Sequence, residues 1–185
     1  MCAKKVYVEE TQDGYVAFFW TDKGISGLTL PCNNPPEALV ELERYTRGES
    51  IGAQMLPPHP GEPAYGLGDA LRDYFSGNCP DFGSFPVDYN SISPFRTRVL
   101  QVVRDIPHGE IMSYGEVAAL AGNPKAYRAV GSAMSTNRTL FLVPCHRVIK
   151  SDGFLGGFGS GIGWKRMLLN LEGIAIDAEG KVLVR

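Results

Sequence analysis

The first thirty residues fall into three short runs of β-branched and aromatic residues, and after them the apolar spacing changes. Val6–Glu9, Tyr15–Trp20 and Ile25–Thr29 read as strands. Asp13-Gly14 and Lys23-Gly24 separate them, and such pairs suit hairpin turns because glycine accepts positive φ. Pro35–Arg47 then reads as a helix, with Pro36 early and Leu39, Leu42 and Tyr45 at helical spacing. Prolines 57, 58, 60 and 63 mark a loop. Leu67–Phe75 is a second helix, ended by Ser76-Gly77-Asn78, and Phe85–Tyr89 is a last strand.

The second half is patterned for helices. Ser91–Ser93 reads as a linker, with Ser93 placed to cap a helix that opens on Pro94. Phe95, Val99, Val102 and Ile106 form its apolar stripe, and Pro107-His108-Gly109 stops it. Ser113-Tyr114-Gly115-Glu116 is a capping box, opening a short helix that runs to Ala121. Gly122 turns the chain, Asn123 is placed to cap a second short helix with Pro124 at its first position, and that helix runs to about Ser135. Two short helices about a glycine turn fit a helix-turn-helix as well as an ordinary αα-corner. The second helix carries small side chains and one arginine, Arg128. A major-groove reader needs long polar side chains that reach base edges. A smooth helix with one arginine suits close minor-groove packing, or equally close packing on another helix. Phe154–Gly161 is glycine-rich but lacks the Gly-Lys-Ser/Thr of a phosphate-binding loop. Gly163–Leu171 is a final helix with Trp164, Met167, Leu168 and Leu171 apolar, and Gly173 ends it.

Charge divides the chain more sharply than its net −2 suggests. Residues 1–90 hold 6 Lys/Arg and 13 Asp/Glu, a net of −7, whereas residues 91–185 hold 12 and 7, a net of +5. The second half is therefore the part suited to a polyanion. No apolar run is long enough for a bilayer, and the N-terminus lacks the apolar core of a signal peptide, so a cytoplasmic location is expected. Four scattered cysteines without a C-x-x-C pair argue against a disulfide framework and a zinc cluster. A site built from Cys2, Cys32 and His59 stays open at this level.

Cys145 lies in Leu142-Val143-Pro144-Cys145-His146-Arg147-Val148. A cysteine in an apolar run is ordinarily inert core. Pro144 interrupts the strand pattern here, and His146 and Arg147 supply positive charge of the kind that favours a thiolate. Neighbouring side chains rarely aim at one point, so a water joins His146 to the thiol more easily than a direct bond does. His146 then needs a group to orient it, and Glu172 is placed for that. A carboxylate at a helix C-terminus opposes the macrodipole, which hints at a role beyond helix stability.

Pro144-Cys145-His146-Arg147-Val148 resembles the signature of the O6-alkylguanine-DNA alkyltransferases. The resemblance extends to Ser113-Tyr114-Gly115-Glu116, Gly122-Asn123-Pro124-Lys125-Ala126, Arg128-Ala129-Val130-Gly131, Asn137, Gly156-Gly157 and the run from Lys165 to Gly173. It is dense over residues 92–174 and weak before them. It implies direct-reversal DNA repair: one irreversible transfer of the alkyl group from O6-alkylguanine, with O4-alkylthymine a further candidate, to Cys145 after the nucleotide is flipped. It implies that His146 activates Cys145 through a water, that Glu172 orients His146, that Asn137 holds the turn, and that Tyr114 assists proton delivery to guanine. Arg128 would fill the gap left by the flipped nucleotide, with Tyr127, Ala129, Gly131 and Tyr114 also against the DNA. Met134, Val148, Phe158, Gly159 and Ser160 would line the pocket, and the backbone carbonyls of Cys145 and Val148 would bind the guanine amino group.

The expected architecture is an α/β N-terminal domain over 1–90, ribonuclease-H-like with a small antiparallel sheet and helices. A mostly α C-terminal domain with a winged helix-turn-helix follows over 91–175, then a tail over 176–185. The expected partner is double-stranded DNA containing O6-alkylguanine, bound through the minor groove by a monomer, with no membrane, metal or cofactor. Phe158 and Ser160 bear on which bulky alkyl groups the pocket wall admits. Two other classes remain: a DNA-binding damage sensor or regulator in which Cys145 is structural, and a Cys-His hydrolase. Alkyltransferase-like relatives that only bind the lesion lack the reactive cysteine, which this chain has.

Overall fold

The structure, a computed structural model, describes residues 5–46, 58–62, 64–90 and 92–183. Cys2, Arg47, Pro57, Pro63 and Ser91 lie outside the described residues. The chain divides into two compact units, Met1–Asn90 with Arg138–Leu142, and Ser91–Asn137 with Val143–Arg185. No helix among the described residues is long and apolar enough to cross a membrane.

The first unit is built on an antiparallel sheet in the order β1-β2-β3, from Lys5–Thr11, Gly14–Thr21 and Gly24–Leu28. Each strand is near its expected place. Glycine at the turns serves close approach as well as positive φ: at Gly14 (φ 125°) a Cβ would lie 2.4 Å from the Cys32 carbonyl oxygen. Helix α1 (Pro35–Thr46) lays Ala38 and Leu42 on Val6, Ala17 and Phe19 of the sheet. Burying a side chain such as Leu42 stabilises by about 1.5–3 kcal/mol. Helix α2 (Leu67–Phe75) buries Leu67, Leu71, Tyr74 and Phe75. The expected strand at Phe85–Tyr89 shrinks to one parallel bridge between Val87 and Ile25. Pro86 has no N–H to extend a ladder, although its carbonyl accepts from the Ile25 N–H at 2.8 Å. Arg138–Leu142 belongs to this unit through the ring of Phe141. Its centroid lies 5.4 Å from those of Tyr74 and Phe75, and its φ is 66°, unusual for a non-glycine residue.

The second unit is mostly helical. Helix α3 (Pro94–Arg104) has Ser93 at its N-cap position, but the Ser93 side chain makes no cap bond. Its buried face is Val99, Leu100 and Val103, continued by Ile106. Phe95 and Val102 are only half-buried, a correction to the expected stripe. Strand β4 (Met112–Ser113) leads directly into helix α4 (Tyr114–Leu120). The capping box forms in full: the Glu116 N–H donates to Ser113 Oγ at 3.2 Å, and the Ser113 N–H donates to Glu116 Oε2 at 2.7 Å. Asn123 does not cap the next helix. With Gly122 left-handed, the Asn123 N–H bonds back to the Ala118 carbonyl at 2.9 Å, so Asn123 closes α4. Pro124 stays in the turn, and helix α5 spans Tyr127–Ser135. Strand β5 (Val148–Ile149) pairs parallel with β4, and helix α6 spans Ile162–Leu171. The expected tail is instead folded over its described part. Ile176 and Val182 pack with Ile149, Leu155 and Leu169, and the Leu155 N–H bonds to the Gly180 carbonyl at 3.0 Å.

Candidate active site

Cys145, His146 and Arg147 form a single 3-10 turn, entered through Pro144 (φ −76°, ψ 68°) and leading into β5. All three are buried, Cys145 to 4% exposure. The Asn137 side chain donates to the Val143 carbonyl at 2.8 Å, bracing the segment just before the turn, and also bonds toward the thiol. The Cys145 carbonyl accepts from the Val148 N–H, and the Val148 carbonyl accepts from Lys165 Nζ. Each keeps a second lone pair for another donor.

On the residue after the cysteine, His146 Nε2 lies 2.7 Å from Glu172 Oε1. Glu172 is the C-cap residue of α6 and also receives Arg147 Nε on Oε2 at 2.8 Å and Arg147 Nη2 on Oε1 at 2.9 Å. The Gly109 N–H donates to Oε2 at 3.3 Å. Burial pushes the carboxyl pKa upward, but these bonds and the charges of His146 and Arg147 prevail, and Glu172 is held well below the ordinary carboxylate range. An ionised carboxylate only accepts, so His146 Nε2 carries a proton and Nδ1 is the basic nitrogen. Burial lowers the His146 pKa; the Glu172 charge opposes that, and Arg147 and Lys165 add to it.

Burial pushes the Cys145 thiol above its ordinary value, with Asn137 and the charge of Lys165 acting in the opposite direction. The cation that acts on the thiol is thus Lys165. His146 and Arg147 were expected in that part, but Arg147 turns away to Glu172 and the Ile106 carbonyl, the latter at 2.6 Å. Lys165 is fully buried, its ordinary 10.5 lowered to about 8 by desolvation. No carboxylate pairs with it among the described residues. Tyr114 lies over it, with Nζ 5.9 Å from the ring centroid. Desolvation and then the Cys145 charge raise the Tyr114 hydroxyl pKa.

The sequence reading missed the contribution of Lys165 and the pairing of Arg147 with Glu172, and a signal for the first was present. The buried face of α6 is Lys165, Leu168, Leu169 and then Glu172, a run at i, i+3, i+4 and i+7. The expected stripe gave that face to Trp164, Met167 and Leu171, which are half-buried. Two ionisable residues interleaved with leucines on one helical face mark a polar site beneath it.

The remaining candidates separate by exposure. Tyr127, Arg128 and Ala129 are exposed at the start of α5, with the Arg128 guanidinium 5.8 Å from the Tyr127 ring centroid, and Gly131 is half-buried. A Cβ at Gly131 would meet nothing within 4 Å, so internal packing does not require glycine there. Met134 and Val148 are buried, Phe158 is half-buried, and Gly159 and Ser160 are exposed. A Cβ at Gly156 would lie 3.2 Å from the Tyr114 ring, and at Gly159 3.4 Å from the Ser135 carbonyl oxygen. The glycine-rich segment therefore runs beside Tyr114 and the end of α5. Cys32 is half-buried and Cys79 exposed, both as free thiols.

Residues 94–174 match the model of the 6-O-methylguanine DNA methyltransferase, DNA binding domain. A methylated-DNA–protein-cysteine methyltransferase of Shigella flexneri is 42% identical, over 72% of this chain and 81% of that protein. A DNA base-flipping protein of Thermus thermophilus is also 42% identical, over 72% of this chain and 84% of that protein. Among solved structures, the Mycobacterium tuberculosis protein OGT in complex with DNA superposes with a TM-score of 0.70 at 33% identity, covering 91% of this chain and 92% of that one. The chain belongs to the methylated-DNA–protein-cysteine methyltransferase family.

Proposed function

We propose that this chain repairs O6-alkylguanine in double-stranded DNA by direct reversal, moving the alkyl group onto its own Cys145 in one irreversible event. The carrying observation is a buried cysteine backed by a His146–Glu172 pair at 2.7 Å, in the unit that also exposes the start of α5. The alkyl carbon of a stacked base is out of reach, so the nucleotide must leave the duplex, and a damaged pair costs less to open. The thiol proton passes through a water to His146 Nδ1. The thiolate attacks the alkyl carbon, the carbon–sulfur bond forms as the carbon–O6 bond breaks, and the electron pair leaves on guanine. Tyr114 serves in returning a proton to guanine, so the sum is thiol plus alkylguanine to thioether plus guanine. A thioether has no ready way back, and each molecule acts once.

In this reading α4 and α5 are the helices of a winged helix-turn-helix that enters the minor groove. The open space at Gly131 and the small exposed side chain of Ala129 suit close approach to a backbone. Arg128 takes the place of the flipped nucleotide. The net +5 of residues 91–185 supports this assignment of the DNA to the second domain, beginning at residue 91. The three-stranded sheet with α1 supports a ribonuclease-H-like first domain over 1–90. Met134, Val148, Phe158, Gly159 and Ser160 line the pocket. The protein works as a monomer in the compartment that holds the genome, the cytoplasm with its nucleoid or a nucleus.

The test is a duplex carrying one O6-methylguanine, mixed with the protein and followed by mass spectrometry of its peptides. One methyl on the Cys145 peptide per protein, with guanine restored, is expected. Tight lesion binding with Cys145 unmodified would leave a damage-recognition protein, the reading that the similarity to a DNA base-flipping protein favours.

A further inference from the structure

Arg147 sits beside the nucleophile and its base, yet no step of the transfer uses it. It is buried, and its guanidinium spends two donors on the two oxygens of Glu172, at 2.8 and 2.9 Å, and a third on the Ile106 carbonyl at 2.6 Å. The same carboxylate faces His146 at 2.7 Å. Three charges therefore meet one another at a buried point: a fixed cation, a carboxylate, and an imidazole that is charged only when protonated.

We propose that Arg147 is a positioning residue of this relay, gripping both oxygens of Glu172 so that the carboxylate orients His146 without charging it. The inference rests on the alkyl-transfer reading above and deepens it. A lone buried carboxylate beside an imidazole draws a proton onto the ring and makes a resting ion pair. With the guanidinium already balancing it, the carboxylate still fixes the ring through Nε2, but the ring stays neutral and Nδ1 stays available to take the thiol proton. The planar fork of arginine suits this, because it holds both oxygens in one plane and cannot lose its own proton. The charges acting on His146 are those of Glu172 at the end of α6, Arg147 on its own turn and Lys165 on α6. The thiol of Cys145 adjoins it in sequence, and the Gly109 N–H reaches the carboxylate from the turn after α3. Arg104, Asp105, His108 and Glu110 stand on that end of α3 and its turn. Neutrality at rest keeps the thiol protonated until a substrate is present, which protects a single-use nucleophile from stray electrophiles.

The test needs no DNA, which separates it from the function itself. Chloroacetamide labelling of Cys145 in the full chain is followed by mass spectrometry across pH. In Arg147→Met the unbalanced carboxylate charges His146, and the half-labelling pH is expected to fall by about one unit or more, a tenfold change in the balance between thiol and thiolate. Arg147→Lys restores the charge and is expected to return the midpoint close to that of the unaltered protein. An Arg147→Met midpoint that is unchanged or higher overturns the proposal, as does an Arg147→Lys midpoint as low as that of Arg147→Met. The unaltered protein supplies a reading that holds even where the variants do not fold. NMR titration of the His146 ring is expected to show it neutral to below its ordinary 6.5, and protonation at or above that value overturns the proposal. Failure of methyl transfer from DNA with these shifts intact would instead count against the alkyltransferase reading alone.

Discussion

The two units bury different things. Among the described residues, the buried polar groups of the first unit are threonines, whereas His146, Arg147, Lys165 and Glu172 all lie in the second. The first unit is stabilised in the ordinary way, by apolar side chains of α1 against a sheet and by the rings of Tyr74, Phe75 and Phe82 around Phe141. The second carries four ionisable side chains out of water around one thiol. Burying a charge costs several kcal/mol unless it is well paired, and Lys165 has no carboxylate partner among the described residues. Such a cost is tolerated where the charge serves chemistry, so the contrast supports the proposal that the second unit reacts while the first supports it.

The sharpest way to break that contrast is to remove the proposed nucleophile. Cys145→Ser is expected to abolish methyl acceptance completely while leaving binding to an O6-methylguanine duplex, measured by fluorescence anisotropy. Residual transfer in this variant would place the acceptor elsewhere.

Breaking the buried pair comes next. Glu172→Gln leaves Arg147 unbalanced, and a destabilisation of about 3–5 kcal/mol is expected in urea unfolding, with slower transfer. Leu42→Ala in the first unit is expected to cost a similar amount, about 2–5 kcal/mol, without altering the labelling of Cys145 in the folded protein. Loss of labelling in folded Leu42→Ala would mean that the first unit shapes the chemistry.

Acid should find the same division. Glu172 has a folded pKa held below its ordinary 4.5, so its stabilisation is complete above 4.5 and is lost as pH falls toward the folded value. His146 is lowered from 6.5, so the unfolded chain takes its proton first and stability falls further below that pH. Unfolding followed from pH 7 to 3 is expected to show a steep loss of stability, flattened in Glu172→Gln. An identical slope in the variant would remove Glu172 as the cause.

The smallest expected effect is at the capping box. Ser113→Ala removes the acceptor for the Glu116 N–H and is expected to cost about 1 kcal/mol, read as a small drop in midpoint temperature, with Cys145 labelling unchanged.

Local chemistry was the legible part. Strand runs, glycine turns, the proline-started α3 and the capping box each answer to neighbours a few residues away, and the sequence places them within a residue or two. The misplaced details turned on backbone hydrogen bonding and on burial, which residue type alone does not fix. Phe85–Tyr89 has strand composition, but Pro86 leaves it a single bridge to Ile25. Asn123 has the composition of an N-cap, but its N–H is taken by Ala118. Residues 176–185 read as a tail because the apolar partners of Ile176 and Val182, among them Leu155 and Leu169, come earlier in the chain.

By itself, then, the sequence named the candidates for the chemistry: a cysteine, a histidine and a glutamate in an order and setting that resemble one family, and a second half suited to a polyanion. Tertiary structure alone decided how those groups are charged. Arg147 was readable as a cation beside the thiol, but the fold points it at Glu172, 25 residues away, and leaves the charge of Lys165 to act on the thiol instead. The reason is physical. Residue type and short-range pattern set what a side chain can do, but protonation depends on burial and on charges within a few ångströms, and those neighbours come from distant parts of the chain.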